Sequence, residues 1–171
     1  MPTKRAYHKT TNSRHRFRRH PNLIKAGFKA DKPNQLWVAD ITYLPTRSRE
    51  SYVSLITDAY SRKIVGYQVD DNMRTQSLKQ TFTRALKQKS TKEKLVHHSD
   101  RGIQYCSEGY QKPHRKHDIQ CSMKDGYDCH QNALAERING ILINEYLPHK
   151  PQDLEDARKI CKALINKASG F

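Results

Sequence analysis

Acidic residues are scarce in this chain: 17 Asp and Glu stand against 32 Lys and Arg, a formal net charge of +15 over 171 residues. That excess is more than solubility requires and points to a polyanionic partner, most simply DNA or RNA. The first twenty positions, MPTKRAYHKTTNSRHRFRRH, hold no acid and no apolar core. No secretory leader is therefore expected, and the segment reads as a basic arm over residues 1–32. No run approaches the roughly 18 apolar residues of a membrane span, so a soluble, cytoplasmic protein without a membrane partner is expected. Cysteine is sparse, and Cys106, Cys121, Cys129 and Cys161 form no C-x-x-C pair. Buried or idle thiols are therefore expected, with a zinc site through His97, His98 or His130 as the weaker alternative. Repeats and low-complexity segments beyond the arm are lacking, and 35% hydrophobic residues suffice for one compact core over residues 33–171.

What is present is a clear succession of periods. LWVADITYL (residues 36–44), SYVSLITD (51–58) and KIVGYQVD (63–70) are β-rich runs separated by short polar links, an antiparallel meander. TQSLKQTFTRALKQ then spaces Leu78, Phe82, Ala85 and Leu86 at helical intervals. The short strand KLVHHS follows, then a helix from about Ser107 and the strand IQCSM. Two further helical patterns close the chain, HQNALAERINGILINEY and QDLEDARKICKALINKA. The order βββαβαβαα predicts an α/β fold, a mixed sheet with helices packed against it.

Three acids stand where acids are unwelcome. Alternation places Leu36, Val38, Asp40, Thr42 and Leu44 on one strand face, so Asp40 interrupts a largely apolar row and must be paired, metal-bound or functional. Asp100 lies at the exit of a strand, in HHSDRGIQYCS. On a helical wheel Leu134, Ile138, Ile141 and Leu142 form one stripe, and Glu136 lies opposite, beside Asn132, Ala133, Asn139 and Gly140. Each acid also has a plain structural reading: a hydrogen-bonded strand residue, a turn or helix cap, and a solvated helix acid. Together they suit a pair of Mg²⁺ ions about 3.5–4 Å apart, hard cations that take carboxylate oxygens and clamp the attacking and leaving oxygens of a phosphodiester. Bound cations would also invert the local sign, so that an anionic backbone could approach.

The segments NQLWVADITYL, YVSLITDAYSRKIVGY, HHSDRGIQYCS and QNALAERINGIL resemble the catalytic core of DDE transposases of bacterial insertion sequences, relatives of retroviral integrases. Residues 101–135 lie between Asp100 and Glu136, an interval of 35 that matches the DD-35-E group. The resemblance implies a ribonuclease H-like, five-stranded mixed sheet and a catalytic and metal-binding triad of Asp40, Asp100 and Glu136 with two Mg²⁺ or Mn²⁺ ions. It also implies DNA cleavage and strand transfer by direct attack of a hydroxyl on phosphorus. The implied partners are insertion-sequence ends and target DNA, a second copy of the chain or a full-length transposase, and the implied place is the bacterial nucleoid. DNA-contact candidates are Arg14, Arg16, Arg18 and Arg19 in the arm, Arg101, Gln104 and Tyr105 after the second aspartate, and Asn132 and Asn139 beside Glu136.

Several neighbours carry simpler expectations. Asp58 reads as a turn residue, Asp128 as a cap, Asp125 as a loop acid, His98 as structural at least as readily as substrate-facing, and Trp37 as core. Departures from the resemblance are equally specific. Ile143, two turns beyond Glu136 on what should be the same outer face, stands where relatives present Lys. Pro113 falls within a predicted helix, where its missing amide costs about 3 kcal/mol. The sequence stops at NKASGF without the family's later Tyr-Asn and Arg-Pro-His motifs, and no helix-turn-helix region precedes the core. A truncated copy is therefore expected. A catalytically inactive DNA-binding remnant is the alternative function, and a basic RNA-binding protein, the third class, leaves Asp40 unexplained.

If the arm neutralises phosphates, DNA affinity falls steeply with salt, and deleting residues 1–20 flattens that slope. Binding isotherms at several salt concentrations check this, and identical slopes for the two chains would remove the arm from the DNA interface.

Overall fold

The computed structural model describes residues 11–12, 14–25, 27–125 and 133–168. Three strands, β1 (Leu36–Pro45), β2 (Glu50–Asp58) and β3 (Ile64–Asp70), form the expected meander. Helix α1 (Thr75–Gln88) leads to β4 (Val96–Ser99). A short helix not expected from the sequence, α2 (Ile103–Cys106), precedes the helix expected from about Ser107, α3 (Glu108–Lys116), and β5 (Gln120–Met123) follows. Helix α4 (Ala133–Tyr146), a 3₁₀ turn (Leu147–His149) and α5 (Leu154–Ala168) complete the chain. The sheet order is β3-β2-β1-β4-β5, with β1 antiparallel to β2 but parallel to β4, so the sheet is mixed as expected. Helix α3 continues through Pro113, which leaves the Gly109 carbonyl without the amide that any other residue would supply.

Alternation along β1 divides the core between the two faces of the sheet. Trp37, Ala39 and Ile41 point to one side, where Phe82 and Ala85 of α1 and Tyr105 and Tyr110 cover them. Trp37 is fully buried, as its sequence position suggested. Helix α1 lies so close to β3 that a Cβ on Gly66 would sit 2.4 Å from the Thr81 carbonyl, which excludes any larger residue there. On the other face Leu36 and Val38 pack with Val96 and Ala135. Farther along that face Leu44 joins Val53, Leu142, Tyr146 and Cys161 under α4 and α5. Asp40 lies between these two apolar groups, on the α4 side.

The seating of α4 differs from the wheel reading. Its buried stripe is Ala135, Asn139, Leu142 and Tyr146, at steps of four, three and four residues. Leu134, Ile138 and Ile141 instead line an open groove of about 420 Å³ with Leu164 of α5, and Ile141 is half exposed. The sequence wheel favoured the most apolar stripe, but the sheet takes the stripe carrying Asn139 because a polar group awaits it there. Ile143 is corrected too: it packs partly buried against the Leu44 and Tyr146 cluster and does not stand on an outer face.

Three histidines sit deep in the structure. His97 meets the Tyr110 hydroxyl through Nε2 at 3.0 Å, His98 meets Ser122 Oγ through Nδ1 at 2.8 Å, and His114 stacks on Phe82 at 3.9 Å. These contacts give His98 a structural role and commit one ring nitrogen of His97 and one of His98 to protein partners. Among the described residues no His, Cys, Asp and Glu grouping closes on a metal, and Cys106 and Cys161 are buried free thiols. Cys129, Asp128 and His130 lie outside the described residues.

Burial lowers His98 and His114 to about 4 and His97 well below its ordinary value. The unfolded chain therefore binds more protons than the folded one between pH 6.5 and about 4, so this contribution is intact above pH 6.5 and declines on acidification. His114→Leu should remove its share, about 2 kcal/mol of the stability change between pH 7 and pH 5. The check is urea unfolding at both pH values, reading the difference in slope between variant and parent.

Candidate active site

The junction of parallel and antiparallel pairing builds the site. The parallel register aligns Leu36 with Val96, Trp37 with His97 and Val38 with His98, and two further steps bring Asp40 level with Asp100. Strand β4 has ended at Ser99 by then, while β1 continues to Pro45 paired with β2. The flank of β1 is thus vacated beside Asp40, and Asp100 heads the chain that leaves it.

Asp40 is half buried, and its oxygens are held apart by two donors. The Ile41 amide donates to Oδ1 at 2.9 Å, and the Asn139 Nδ2 amide donates to Oδ2 at 2.5 Å. Asp100 is held likewise: the Gly102 amide donates to Oδ1 at 2.7 Å and the Thr11 hydroxyl to Oδ2 at 2.5 Å. Glu136 is exposed, yet it is near enough to act on Asp40. Three residues of α-helix turn through about 300°, so Glu136 stands about 60° from Asn139, on the rim of the buried stripe. Asp40 is raised to about 7, first by burial, then by the Asp100 charge and more weakly by Glu136, against the lowering effect of its two donors. The charges of Asp100 and Glu136 thus oppose the ionisation of Asp40.

The donor set fits a hard divalent cation. All three candidate ligands are carboxylates, and their mutual repulsion is what bound positive charge relieves. A further oxygen supports the fit: Gln104 Oε1 is buried without a hydrogen-bond partner. A Cβ at Gly102 would lie 2.8 Å from Asp100 Oδ1 and 3.2 Å from this oxygen, so glycine leaves two acceptors facing one small space. The carboxylates do not close into a ready-made cage, consistent with their repulsion and with the protein donors already on Asp40 and Asp100.

The other candidates divide clearly. Arg14, Arg16, Arg18 and Arg19 are exposed along the arm. Arg101 is partly buried and its guanidinium meets Asp125 at 2.7 Å, so Asp125, which also pairs with Lys25, serves as a counter-ion. Tyr105 is corrected from a DNA contact to a core residue: at 2% exposure its ring packs on His97 and Tyr110 and fixes the loop after Asp100. Asn139 is corrected from an outer-face contact to the buried partner of Asp40. Asn132 lies outside the described residues. Asp58 is a turn residue as expected, accepting from the amides of Asn34, Tyr60 and Ser61. Thr11 gave no sequence signal, since its contact with Asp100 spans 89 positions.

The mixed sheet with helices on both faces is ribonuclease H-like. The simian T-cell lymphotropic virus intasome contains a similar chain, with a TM-score of 0.66 and 18% identity over 89% of this chain and 53% of that one. The HTLV-2 integrase catalytic core domain, solved in complex with magnesium, superposes with a TM-score of 0.61 at 21% identity, covering 78% of this chain and 87% of that one. The integrase core domain profile matches residues 30–129, and a second integrase core profile matches residues 117–167. The chain belongs to the integrase core domain family. It is 37% identical to an uncharacterized 31 kDa protein of insertion element IS600 from Shigella sonnei, over 85% of this chain and 54% of that protein. It is 35% identical to the transposase for insertion sequence element IS904 from Lactococcus lactis, over 74% of this chain and 50% of that protein. The chain therefore spans about half the length of the curated relatives it matches.

Without metal, ionising Asp40 opposes folding. Its folded pKa, about 7, lies above the unfolded value of 3.8, so its contribution is fully present below pH 3.8 and lost as pH rises through 7. Asp40→Asn in metal-free buffer should raise the melting temperature most at pH 8, less at pH 5, where only part of the penalty has developed, and little below pH 3.8. An equal or lower melting temperature at pH 8 would show that Asp40 carries no such penalty.

Proposed function

We propose that this chain is the catalytic domain of an insertion-sequence transposase, cleaving DNA strands and joining their ends to new phosphodiesters. The observation that carries the reading is the position of Asp40, a half-buried acid in an apolar strand row whose ionisation is opposed by Asp100 and by a Glu136 placed 35 residues later. A plain structural acid would have a basic partner, whereas Asp40 has two acids and two neutral donors. The family relationship supports the chemistry, and the transposase among the relatives supports the substrate.

In this reading Asp40, Asp100 and Glu136 would together hold two Mg²⁺ or Mn²⁺ ions. Bound there, the cations would stabilise negative charge on the attacking and leaving oxygens of the phosphodiester. The chain's own part is orientation. Asn139 keeps Asp40 Oδ2 turned toward the rim of α4, Gly102 leaves room beside Asp100, and Tyr105 anchors the loop from the core. The open space around Gly140, where a Cβ would meet nothing within 4 Å, admits DNA along the outer side of α4. Arg14, Arg16, Arg18 and Arg19 bind flanking phosphates. Insertion-sequence ends and target DNA are the proposed partners, a second copy or a longer transposase the proposed assembly, and the nucleoid the proposed place of action.

The test is strand nicking and transfer on labelled duplexes carrying the element's end sequence, in Mn²⁺ and in Mg²⁺. Asp40→Asn, Asp100→Asn and Glu136→Gln should each lower product at least about 100-fold, because each removes a charge from the same ions. DNA binding with no product in the parent chain would favour the inactive remnant, and product unchanged in the variants would dismiss the triad.

A further inference from the structure

The basic arm is not a free tail where the structure describes it. Its described residues are fixed at intervals along one side of the molecule. Leu23 N donates to Ser122 Oγ at 2.9 Å, Met123 N donates to the Pro21 carbonyl at 3.2 Å, and His20 bonds Gln111 of α3. His15 Nε2 meets the Arg101 carbonyl at 2.9 Å, and Ile103 N donates to the Asn12 carbonyl at 2.9 Å. The last described contact is Thr11 Oγ1 on Asp100 Oδ2 at 2.5 Å. The same segment therefore carries four exposed arginines and a hydroxyl seated on an acid of the proposed cation site.

We infer that the arm couples DNA binding to cation binding: docked, it holds Asp100 Oδ2 through Thr11, and phosphate capture by its arginines withdraws that hydroxyl and frees the oxygen. Two physical points support this. A short hydrogen bond to an ionised carboxylate is a strong one, so a cation that takes Oδ2 must displace or reorient Thr11. Thr11, the Asn12 carbonyl and His15 hold the arm near Asp100, with Asn12 and Arg14 themselves exposed, whereas the Leu23 and Pro21 contacts tie the arm's other end to β5. The end that touches Asp100 can therefore lift while the rest stays attached. The coupling is reciprocal: DNA that draws the arm away raises cation affinity, and the cation raises DNA affinity by the same factor.

This inference rests on Asp40, Asp100 and Glu136 as the cation site, and the experiment separates the two. Isothermal titration with Mn²⁺, first without DNA, compares the parent with Thr11→Val, His15→Ala and Asp40→Asn. Thr11→Val, nearly the same shape without the donor, should bind Mn²⁺ about fivefold more tightly. His15→Ala, which loosens the arm but keeps the hydroxyl, should shift in the same direction. A short duplex should tighten Mn²⁺ binding by the parent more than by Thr11→Val, since the DNA phosphate itself favours the cation in both. Unchanged or weaker Mn²⁺ binding by Thr11→Val, with its melting curve intact, overturns the inference. Should that variant not fold, the same outcome for His15→Ala decides. If Asp40→Asn binds Mn²⁺ as the parent does, the cation site itself is wrong, independently of the arm.

Discussion

Placing a carboxylate in an apolar row of a central strand is the constraint around which this molecule is arranged. An isolated charge at Asp40 would be expelled by folding, and the structure answers with a set of local solutions. Strand β4 ends one residue before Asp100, opening the flank of β1 and letting water reach an otherwise covered position. Helix α4 is turned so that an amide, not another isoleucine, meets the carboxylate. That turn strands Leu134, Ile138 and Ile141 at an open groove, a visible loss of burial accepted to keep the acid satisfied. The same rotation places Glu136 on the rim, where it reaches the site while remaining solvated.

Stability and chemistry pull in opposite directions here. Each acid added to the cluster makes Asp40 harder to ionise, and ionised oxygens are what a divalent cation requires. A cluster of this kind is unstable by itself in proportion to its appetite for the cation, which is a general reason why catalytic sites are strained parts of otherwise relaxed folds. The buried histidines of the opposite core face act in the reverse sense. They are neutral by burial and carry no chemistry, so perturbed titration alone does not distinguish a site from a well-packed core. What distinguishes Asp40 is the kind of neighbour: acids and neutral donors on one side, aromatic rings on the other.

Most of the fold was legible in the sequence because it was written in local periods. The alternation in β1 assigned Trp37 to one face and Asp40 to the other, and both assignments hold in the fold. The helix at 75–88 was equally plain. Legibility ended where a long-range polar contact overruled a local apolar preference. The wheel for α4 selected the greasiest stripe and so misplaced Asn139 and Ile143, because the hydrogen bond that decides the rotation joins residues 99 positions apart. Tyr105 was misjudged for a related reason: its motif sits in a loop, but its ring is drawn into the aromatic cluster beneath. Thr11 was invisible, since nothing in a run of basic and polar residues marks one hydroxyl for an acid 89 positions away.

The arm's attachment to β5 has a consequence for the sheet as a whole. Strand β5 is an outermost strand, and such strands offer unpaired amides and carbonyls to any passing chain. Here the Met123 amide is already taken by the Pro21 carbonyl, and a proline at that position has no amide of its own with which to continue a ladder. The segment thus closes the sheet without lengthening it. A domain trimmed to its most regular elements, from β1 onward, would lose this seal and expose a short, sticky border to its own copies in concentrated solution.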